Sequence, residues 1–243
     1  MLAGRLHAAW RGLPAGSLDD IVGERSCLVL APHPDDESLG CGGLIAACCA
    51  AGRPPLVAYL TDGGASHPGS RAYPPARLAA TREAEAIRAA GMLGLAAARL
   101  VFLRVPDGQA PQAGPAFDAV VGRLAMLAEA SGISAILTAS RHDPHPDHAA
   151  AAAIGAAAGR RAGIRVLAYP VWGWMLADDA PVAEDAAQGW RLDIAAHLPA
   201  KRAAIAEHAS QHGTVVTDDP EGFCLPERLL RIADERWETF LVP

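Results

Sequence analysis

The chain has 243 residues, of which 51% are apolar, enough for one large domain with a sizeable core. Its formal net charge of −6 disfavours a nucleic-acid partner, and no apolar run approaches the roughly 20 residues that span a bilayer. The number of cysteines, five, is odd, and no two of them form a CxxC motif. Both observations indicate free thiols in a reducing compartment. No clean signal peptide opens the chain, so we expect a cytoplasmic protein without stable membrane insertion.

Short apolar runs alternate with helical patterns, after a lead-in at residues 1–25 that contains a candidate helix, Leu2–Arg11. The predicted strands are Cys27–Ala31, Leu56–Leu60, Leu100–Leu103, Ser134–Thr138 and Arg165–Tyr169. The predicted helices between them are Leu44–Ala51, after a glycine-rich turn, then Ala76–Leu93, Phe117–Ala130 and an alanine-rich segment ending near Ala162. Five rounds of alternation predict an α/β fold, with a parallel sheet and helices on both faces.

The pattern weakens after the fifth predicted strand. Residues 178–187 are acidic and are predicted to form a loop, Trp190–Ile194 is a candidate strand, and Pro199–Ser210 is a predicted helix. The last part, residues 216–243, carries no chemistry that its residue types assign. We expect it to be a C-terminal extension packed on the domain.

Polar side chains gather just after the predicted strands, in residues 33–37, 61–67, 105–109 and 141–148. In parallel α/β sheets, ligands bind beyond the carboxyl ends of the strands. Because the four clusters all follow strand ends, we predict that they meet in one active site.

The first and last of these clusters repeat one pattern, in which His and Asp are separated by prolines after a buried strand. His33, Asp36 and His148 together make a His2Asp set, and three protein ligands with an open fourth position are typical of catalytic zinc. Such a set also accepts iron, cobalt or manganese. Asp35 is left beside it as a carboxylate that can take a proton from metal-bound water. Simple helix capping is the alternative for either cluster alone.

A second pair, His145 and Asp147, lies in the last cluster. A carboxylate that orients an imidazole raises its pKa and favours the imidazolium form. We therefore expect Asp147 to orient His145, so that His145 stabilises an oxyanion or protonates a leaving amine.

These residues resemble the PIG-L/LmbE-like family of zinc-dependent de-N-acetylases. The resemblance rests on Ala31-Pro-His-Pro-Asp-Asp-Glu37 and His145-Pro-Asp-His148, and extends to Thr61-Asp-Gly-Gly64, Arg82-Glu83, Leu103–Gly108, Lys201 and Ser210-Gln211. It implies a Rossmann-like deacetylase domain over residues 26–215, bound Zn²⁺, and hydrolysis of an N-acetyl group. The substrate it implies is a small N-acetylated molecule, often an N-acetylglucosamine-type amino sugar.

The resemblance also implies roles for single residues. It places the metal ligands at His33, Asp36 and His148, the general base at Asp35, the oxyanion-stabilising group at His145, its orienting partner at Asp147, and a pocket-lining arginine at Arg82. Zinc-bound water would attack the amide carbonyl, and zinc with His145 would stabilise the oxyanion.

The chain also departs from the family pattern. Some relatives carry a tyrosine that polarises the carbonyl shortly before the second predicted metal loop, His145–His148. Here that segment is Arg141-His142-Asp143, with no tyrosine. Either His145 and the metal suffice, or Tyr169, Arg82 or His142 takes that part. Gly64 replaces the usual Glu of the Thr-x-Gly loop.

Further substrate contacts are predicted at the strand ends. Asp107 follows the third strand, and Trp172 follows the fifth, where its ring could stack on a sugar or simply pack on the domain. His67 could contact substrate, but a His in a loop rich in Pro and Gly is more often merely exposed. His208 and His212 are predicted to be surface residues rather than ligands.

Two rival functions belong to other classes. A non-catalytic metal or sugar binder on the same fold would have no need for the free carboxylate Asp35. A nucleotide-binding Rossmann protein is disfavoured because Gly40-Cys-Gly-Gly43 is a poor match to GxGxxG. The favoured hypothesis is a metal-dependent amidohydrolase, with a homo-oligomer as a possible assembly.

Overall fold

An eight-stranded sheet runs through the computed structural model, which describes residues 1–182 and 187–243. The strands are β1 (Ala15–Gly16), β2 (Ser26–Ala31), β3 (Leu56–Thr61), β4 (Leu100–Val105), β5 (Ile133–Ala139), β6 (Arg165–Tyr169), β7 (Gly189–Asp193) and β8 (Trp237–Leu241). The helices are α1 (Ala3–Arg11), α2 (Leu18–Val22), α3 (Asp36–Ala50), α4 (Pro75–Met92), α5 (Gly114–Ala130), α6 (Pro146–Ala162), α7 (Leu198–Glu207) and α8 (Glu227–Ala233).

The sheet is mostly parallel, in the order β1-β7-β8-β6-β5-β2-β3-β4. Only β8 runs antiparallel to its two neighbours, β6 and β7. The predicted α/β fold is therefore confirmed, and the five predicted strands correspond to β2 through β6.

Both faces of the sheet are covered, which explains why β2 is apolar along its length. Its side chains alternate between two apolar clusters: Val29 and Ala31 join the cluster under α3, α4 and α7, while Leu28 and Leu30 join the one under α5 and α6. None of the described helices is long and apolar enough to cross a membrane.

The glycine-rich stretch after β2 lies inside a helix, contrary to the predicted turn. Helix α3 begins at Asp36 rather than Leu44. A Cβ atom on Gly40 would lie 2.3 Å from the Tyr169 ring, and one on Gly43 would lie 2.5 Å from Ile194. Close packing under the helix, rather than a turn, therefore explains these glycines.

The C-terminal extension enters the sheet instead of only packing on it. Strand β8 lies between β6 and β7, and β7 in turn pairs with β1 of the lead-in. The candidate strand at Trp190–Ile194 is confirmed as β7, whereas the helix predicted to reach Ser210 ends at Glu207. The acidic loop predicted at 178–187 lies partly outside the described residues.

The carboxyl ends of the parallel strands meet at one edge of the sheet, and backbone hydrogen bonds join the loops that leave it. Thr61 donates to the carbonyl of Pro32 through both its backbone N–H and its hydroxyl, each at 2.9 Å. Asp62 N–H donates to Val105 O at 2.9 Å. The clusters that follow β2, β3 and β4 are thereby held side by side.

Candidate active site

A cavity of about 250 Å³ opens at this edge of the sheet. Its lining includes seven of the nine predicted site residues: His33, Asp35, Asp36, Arg82, Asp107, His145 and Trp172. The other two, Asp147 and His148, are buried behind it. A larger cavity of about 790 Å³, between α1 and α6, is lined by none of the nine. Proximity of ionisable groups, not volume, therefore identifies the candidate site.

His33, Asp36 and His148 converge on one carboxylate oxygen. Asp36 Oδ2 lies 3.2 Å from His33 Nδ1 and 3.2 Å from His148 Nε2. His148 Nε2 is buried and has no hydrogen-bond partner of acceptable geometry among the described residues. Two imidazole nitrogens and one carboxylate oxygen form the kind of donor set that binds zinc and other divalent first-row metals.

Mutual attraction shifts the pKa values of His148 and Asp36 in opposite directions. Burial opposes a charge on His148, but Asp36 and Asp143 outweigh it and raise the pKa of His148 to about 9. Burial likewise opposes ionisation of Asp36, but His148 and His33 outweigh it and hold the Asp36 pKa far below its usual range. A divalent cation placed between them would take over the role of the proton on His148.

Two further groupings of potential ligands overlap this set. Nitrogens of His33, His145 and His148 lie within 4.8 Å of one another, so His145 is a potential additional ligand. His33 is also grouped with Asp107 and Asp147. Those two carboxylates already accept backbone N–H groups, so we interpret them as supports of His33 rather than as ligands.

The structure corrects the role predicted for Asp147, whose carboxylate turns away from His145. Asp147 Oδ2 lies 3.1 Å from His33 Nε2 and accepts from Gly108 N–H at 2.8 Å, while Oδ1 accepts from Ala110 N–H at 3.0 Å. Side chains two positions apart at a helix start do not face each other. Asp147 therefore orients the predicted metal ligand His33.

His145 also differs from the predicted imidazolium. Burial and the neighbouring His33 and His148 lower the pKa of His145. Its Nδ1 accepts the backbone N–H of Asp147 at 3.2 Å. In its neutral form the ring would carry its proton on Nε2, so that His145 could donate a hydrogen bond in the cavity that it lines.

Asp35 is held in a strained backbone conformation. Its φ angle is 144°, in the region that favours glycine. Its N–H donates to Glu37 Oε2 at 3.0 Å. Glu37 Oε1 in turn accepts from Ser38 Oγ at 2.7 Å and lies 3.2 Å from His208 Nε2. Glu37 thus supports the loop, and His208, predicted at the surface, is buried because it completes this network.

Arg82 supports Asp35 from the opposite side. Its Nη2 donates to Asp35 Oδ2 at 3.1 Å and to Pro34 O at 2.8 Å, and its Nη1 donates to Gly63 O at 3.0 Å. Burial, with a contribution from Asp36 and against the charge of Arg82, raises the pKa of Asp35 to about 6. A carboxylate with that pKa can both accept and return a proton near neutral pH.

One residue of the cavity wall, Phe223, was not predicted from the sequence. Phe223 lies at 5.7 Å from Trp172 in an edge-to-face contact, and Gln211 and Ser66 line the same cavity. The N–H of Phe223 donates to Ser66 O at 2.9 Å. Residues after position 215 therefore contribute to the site, and no periodicity or spacing in the sequence signals this.

Side-chain hydrogen bonds fasten the segment before Phe223 to the loop after β3. Asp219 accepts from Gly69 N–H at 2.8 Å, and Asp218 accepts from Ser70 Oγ at 2.6 Å. His67 is buried under this segment, against the prediction of an exposed residue, because Gly222 packs on its ring.

Two of the candidates for the missing tyrosine do not line the cavity. Tyr169 is buried, and its hydroxyl donates to Leu30 O at 2.9 Å behind the sheet edge. His142 lies beside Trp10, at the larger cavity. His145 and Arg82 are the two candidates that line the site.

Comparison with protein families decides the relationship, because the family model described as "PIG-L: GlcNAc-PI de-N-acetylase" matches residues 28–159. The chain belongs to the PIG-L family. The match spans both metal loops, from β2 through α6. A comparison with curated proteins finds no match.

Solved structures share the PIG-L fold. The conserved protein TT1542 from Thermus thermophilus is 26% identical, with a TM-score of 0.65 over 90% of this chain and 94% of that one. N,N'-diacetylchitobiose deacetylase from Pyrococcus horikoshii is 17% identical, with a TM-score of 0.61 over 89% and 82%. GalB, the 4-carboxy-2-hydroxymuconate hydratase from Pseudomonas putida, is 23% identical, with a TM-score of 0.59 over 78% and 81%. The fold therefore supports more than one chemistry.

Proposed function

We propose that this protein is a metal-dependent N-deacetylase that hydrolyses the acetamido group of a small, amino-sugar-type substrate. The observation that carries the proposal is the position of Asp35, a buried carboxylate that lines the cavity beside His33 and Asp36. A non-catalytic metal binder has no use for such a group. Membership of the PIG-L family supports the same reaction.

His33, Asp36 and His148 would hold the metal, with His145 next to them. A divalent ion such as Zn²⁺, when bound there, supplies Lewis acidity that polarises an acetyl carbonyl and acidifies a water molecule. Asp35 removes a proton from the attacking water, and the Nε2–H of His145 donates to the developing oxyanion. Asp35 then returns the proton to the departing nitrogen. The products are acetate and a free amine.

The walls of the cavity support an amino-sugar-type substrate. Trp172 and Phe223 form an apolar side on which the C–H face of a sugar ring can pack. Asp107, Ser66 and Arg82 supply polar atoms on the lining for hydroxyl or amide groups. The cytoplasmic location, the absence of a nucleic-acid partner and a homo-oligomeric state stay predictions.

Asp35→Asn tests the proposal, because the amide cannot accept a proton from water. We expect acetate release from N-acetylated amino sugars to fall about 100-fold or more, while bound zinc, measured by metal analysis, stays at the native level. Asp118→Asn, which alters an exposed carboxylate on α5, serves as the matched control.

An Asp35→Asn protein that releases acetate at the native rate would show that Asp35 is not the base. A native protein that binds these sugars without releasing acetate would favour the non-catalytic binder. Hydration of an unsaturated acid without acetate release would favour a hydratase.

A further inference from the structure

Asp143 is a buried carboxylate two residues before the loop His145–His148, and the proposed reaction does not use it. Its Oδ2 lies 2.8 Å from Nδ1 of His148. Its Oδ1 accepts from Gly173 N–H at 2.7 Å, and Val171 N–H donates to the carboxylate at 3.1 and 3.3 Å. Asp143 is only 3% exposed, so these are its contacts in a nearly water-free setting.

These contacts determine which nitrogen of His148 carries a proton. The N–H groups of Val171 and Gly173 both donate to the Asp143 carboxylate, which therefore acts as an acceptor. His148 Nδ1 is then the donor in its contact with Asp143. A neutral imidazole carries a single N–H, so a proton on Nδ1 leaves a lone pair on Nε2. Nε2 is the buried atom that lacks a hydrogen-bond partner and lies 3.2 Å from Asp36 Oδ2.

We propose that Asp143 is a positioning residue of the metal centre: it holds His148 in the Nδ1–H form and keeps Nε2 available to bind a metal ion. A carboxylate on the distal nitrogen also fixes the ring orientation and makes the imidazole a stronger ligand. This inference rests on the metal-binding part of the proposed function, not on deacetylation itself.

His33 has a similar arrangement with the two nitrogens exchanged. It presents Nδ1 to Asp36, and its Nε2 faces Asp147 and Asp107 at 3.1 and 3.2 Å. Two carboxylates share that support, whereas Asp143 is the one carboxylate described at the distal nitrogen of His148. Changing Asp143 therefore gives the sharper test.

Asp143→Asn keeps the size of the side chain but changes which atoms donate. The N–H of Gly173 needs an acceptor, so the amide oxygen should take the Oδ1 position and the amide nitrogen should face His148 Nδ1. Nδ1 must then accept, which moves the ring proton to Nε2 and blocks the metal-binding atom. We expect zinc affinity, measured by competition with a coloured chelator, to fall about 10- to 100-fold.

Glu85→Gln is the matched control for the loss of a buried carboxylate. Glu85 accepts from the N–H and hydroxyl of Ser210, at 2.8 and 2.7 Å, and no described contact joins it to the metal set. We expect this variant to lose some stability while zinc affinity stays within about twofold of native. Circular dichroism of every variant establishes that it is folded.

Nitrogen-15 NMR of the native zinc-loaded protein provides a second test that needs no variant. We expect the His148 side chain to show a directly bonded proton on Nδ1. A proton on Nε2, or a folded Asp143→Asn protein that binds zinc as tightly as native, would overturn the inference.

The outcomes separate this inference from the proposed function. Zinc binding that depends on Asp143 in a protein that releases no acetate contradicts the deacetylase alone. Acetate release by a native protein whose zinc affinity is unchanged in Asp143→Asn contradicts the positioning role alone.

Discussion

Two adjacent carboxylates at the cavity, Asp35 and Asp36, differ in the charged groups that surround them. Asp35 and Asp36 are adjacent in sequence, yet Asp36 meets two histidines while Asp35 meets Arg82. The pKa of Asp35 is raised, whereas the pKa of Asp36 is lowered.

Phe223 contributes an apolar surface to the cavity. Its ring centroid lies 5.7 Å from that of Trp172.

Phe223→Ala should weaken substrate binding without disturbing the reacting groups. If the Phe223 ring packs on the sugar with an energy like that of an aromatic pair, about 0.5–1.5 kcal/mol, its removal should raise KM for the N-acetylated substrate roughly 2- to 12-fold. The turnover number should change by less than about twofold, because an interaction made equally in the ground and transition states affects KM alone.

The measurement is steady-state kinetics with an N-acetylated amino sugar from which the native protein releases acetate. Met126→Ala, at an exposed apolar position on α5, is the control and should match the native protein. A loss of turnover with unchanged KM would place Phe223 in a different role.

At the scale of elements, α3 connects the first metal loop to the core. Its glycines let the helix approach Tyr169 and Ile194, and Glu238 of β8 accepts from the N–H groups of Gly43 and Leu44 at 2.7 and 2.8 Å. Lys201 of α7 balances that carboxylate at 2.7 Å. The helix that begins at Asp36, a proposed metal ligand, is therefore anchored on a buried ion pair.

Gly43→Ala should destabilise the protein because the added methyl group would lie 2.5 Å from Ile194. We expect a loss of about 1–3 kcal/mol in the free energy of unfolding, the usual cost of overpacking. Gly91→Ala in α4 is the matched control, since nothing lies within 4 Å of its new methyl group. That control should gain up to about 1 kcal/mol from helix propensity.

Urea denaturation of the two variants beside the native protein gives both values. Equal effects of the two substitutions would show that α3 does not need its close approach to Ile194.

The elements differ in how far the sequence could predict them. Short apolar runs were sufficient to predict β2 through β6. The signal is clearest for β2, β3 and β5, which are buried along almost their whole length. Gly40 to Gly43 indicated a turn, because a sequence does not show the neighbour that makes glycine necessary. The direction of Asp147 was equally hidden, since backbone N–H groups of the distant Gly108 and Ala110 decide it.

At the scale of the whole molecule, the sheet depends on its last strand. β8 is the one strand that joins the β1-β7 pair to the rest of the sheet. The meeting of the polar clusters that follow β2 and β5 was predictable, because the carboxyl ends of parallel strands share an edge of the sheet. The contribution of residues after 215 to the sheet could not be predicted, because the antiparallel pairing of β8 with β6 and β7 has no local signature in the sequence.

Truncation after residue 215 should therefore prevent folding, although the resembling domain was expected to span 26–215. Loss of β8 removes the buried Glu238 and leaves Lys201 with an unpaired charge, which alone costs about 3–5 kcal/mol. We expect no cooperative thermal transition by circular dichroism. Removing only the exposed Pro243 should leave the melting temperature unchanged. A truncated protein with a native-like transition would contradict this account.

The central place of β8 in the sheet also constrains the order of events during translation. The ribosome makes β8 after every strand and helix that it joins, so β6 and β7 leave the exit tunnel with open edges. Open edges are sites for wrong pairing between chains. The nascent chain can assemble the strands from β2 to β6 early, but α3 gains its anchor, and the site its full support, only when the final strand is released.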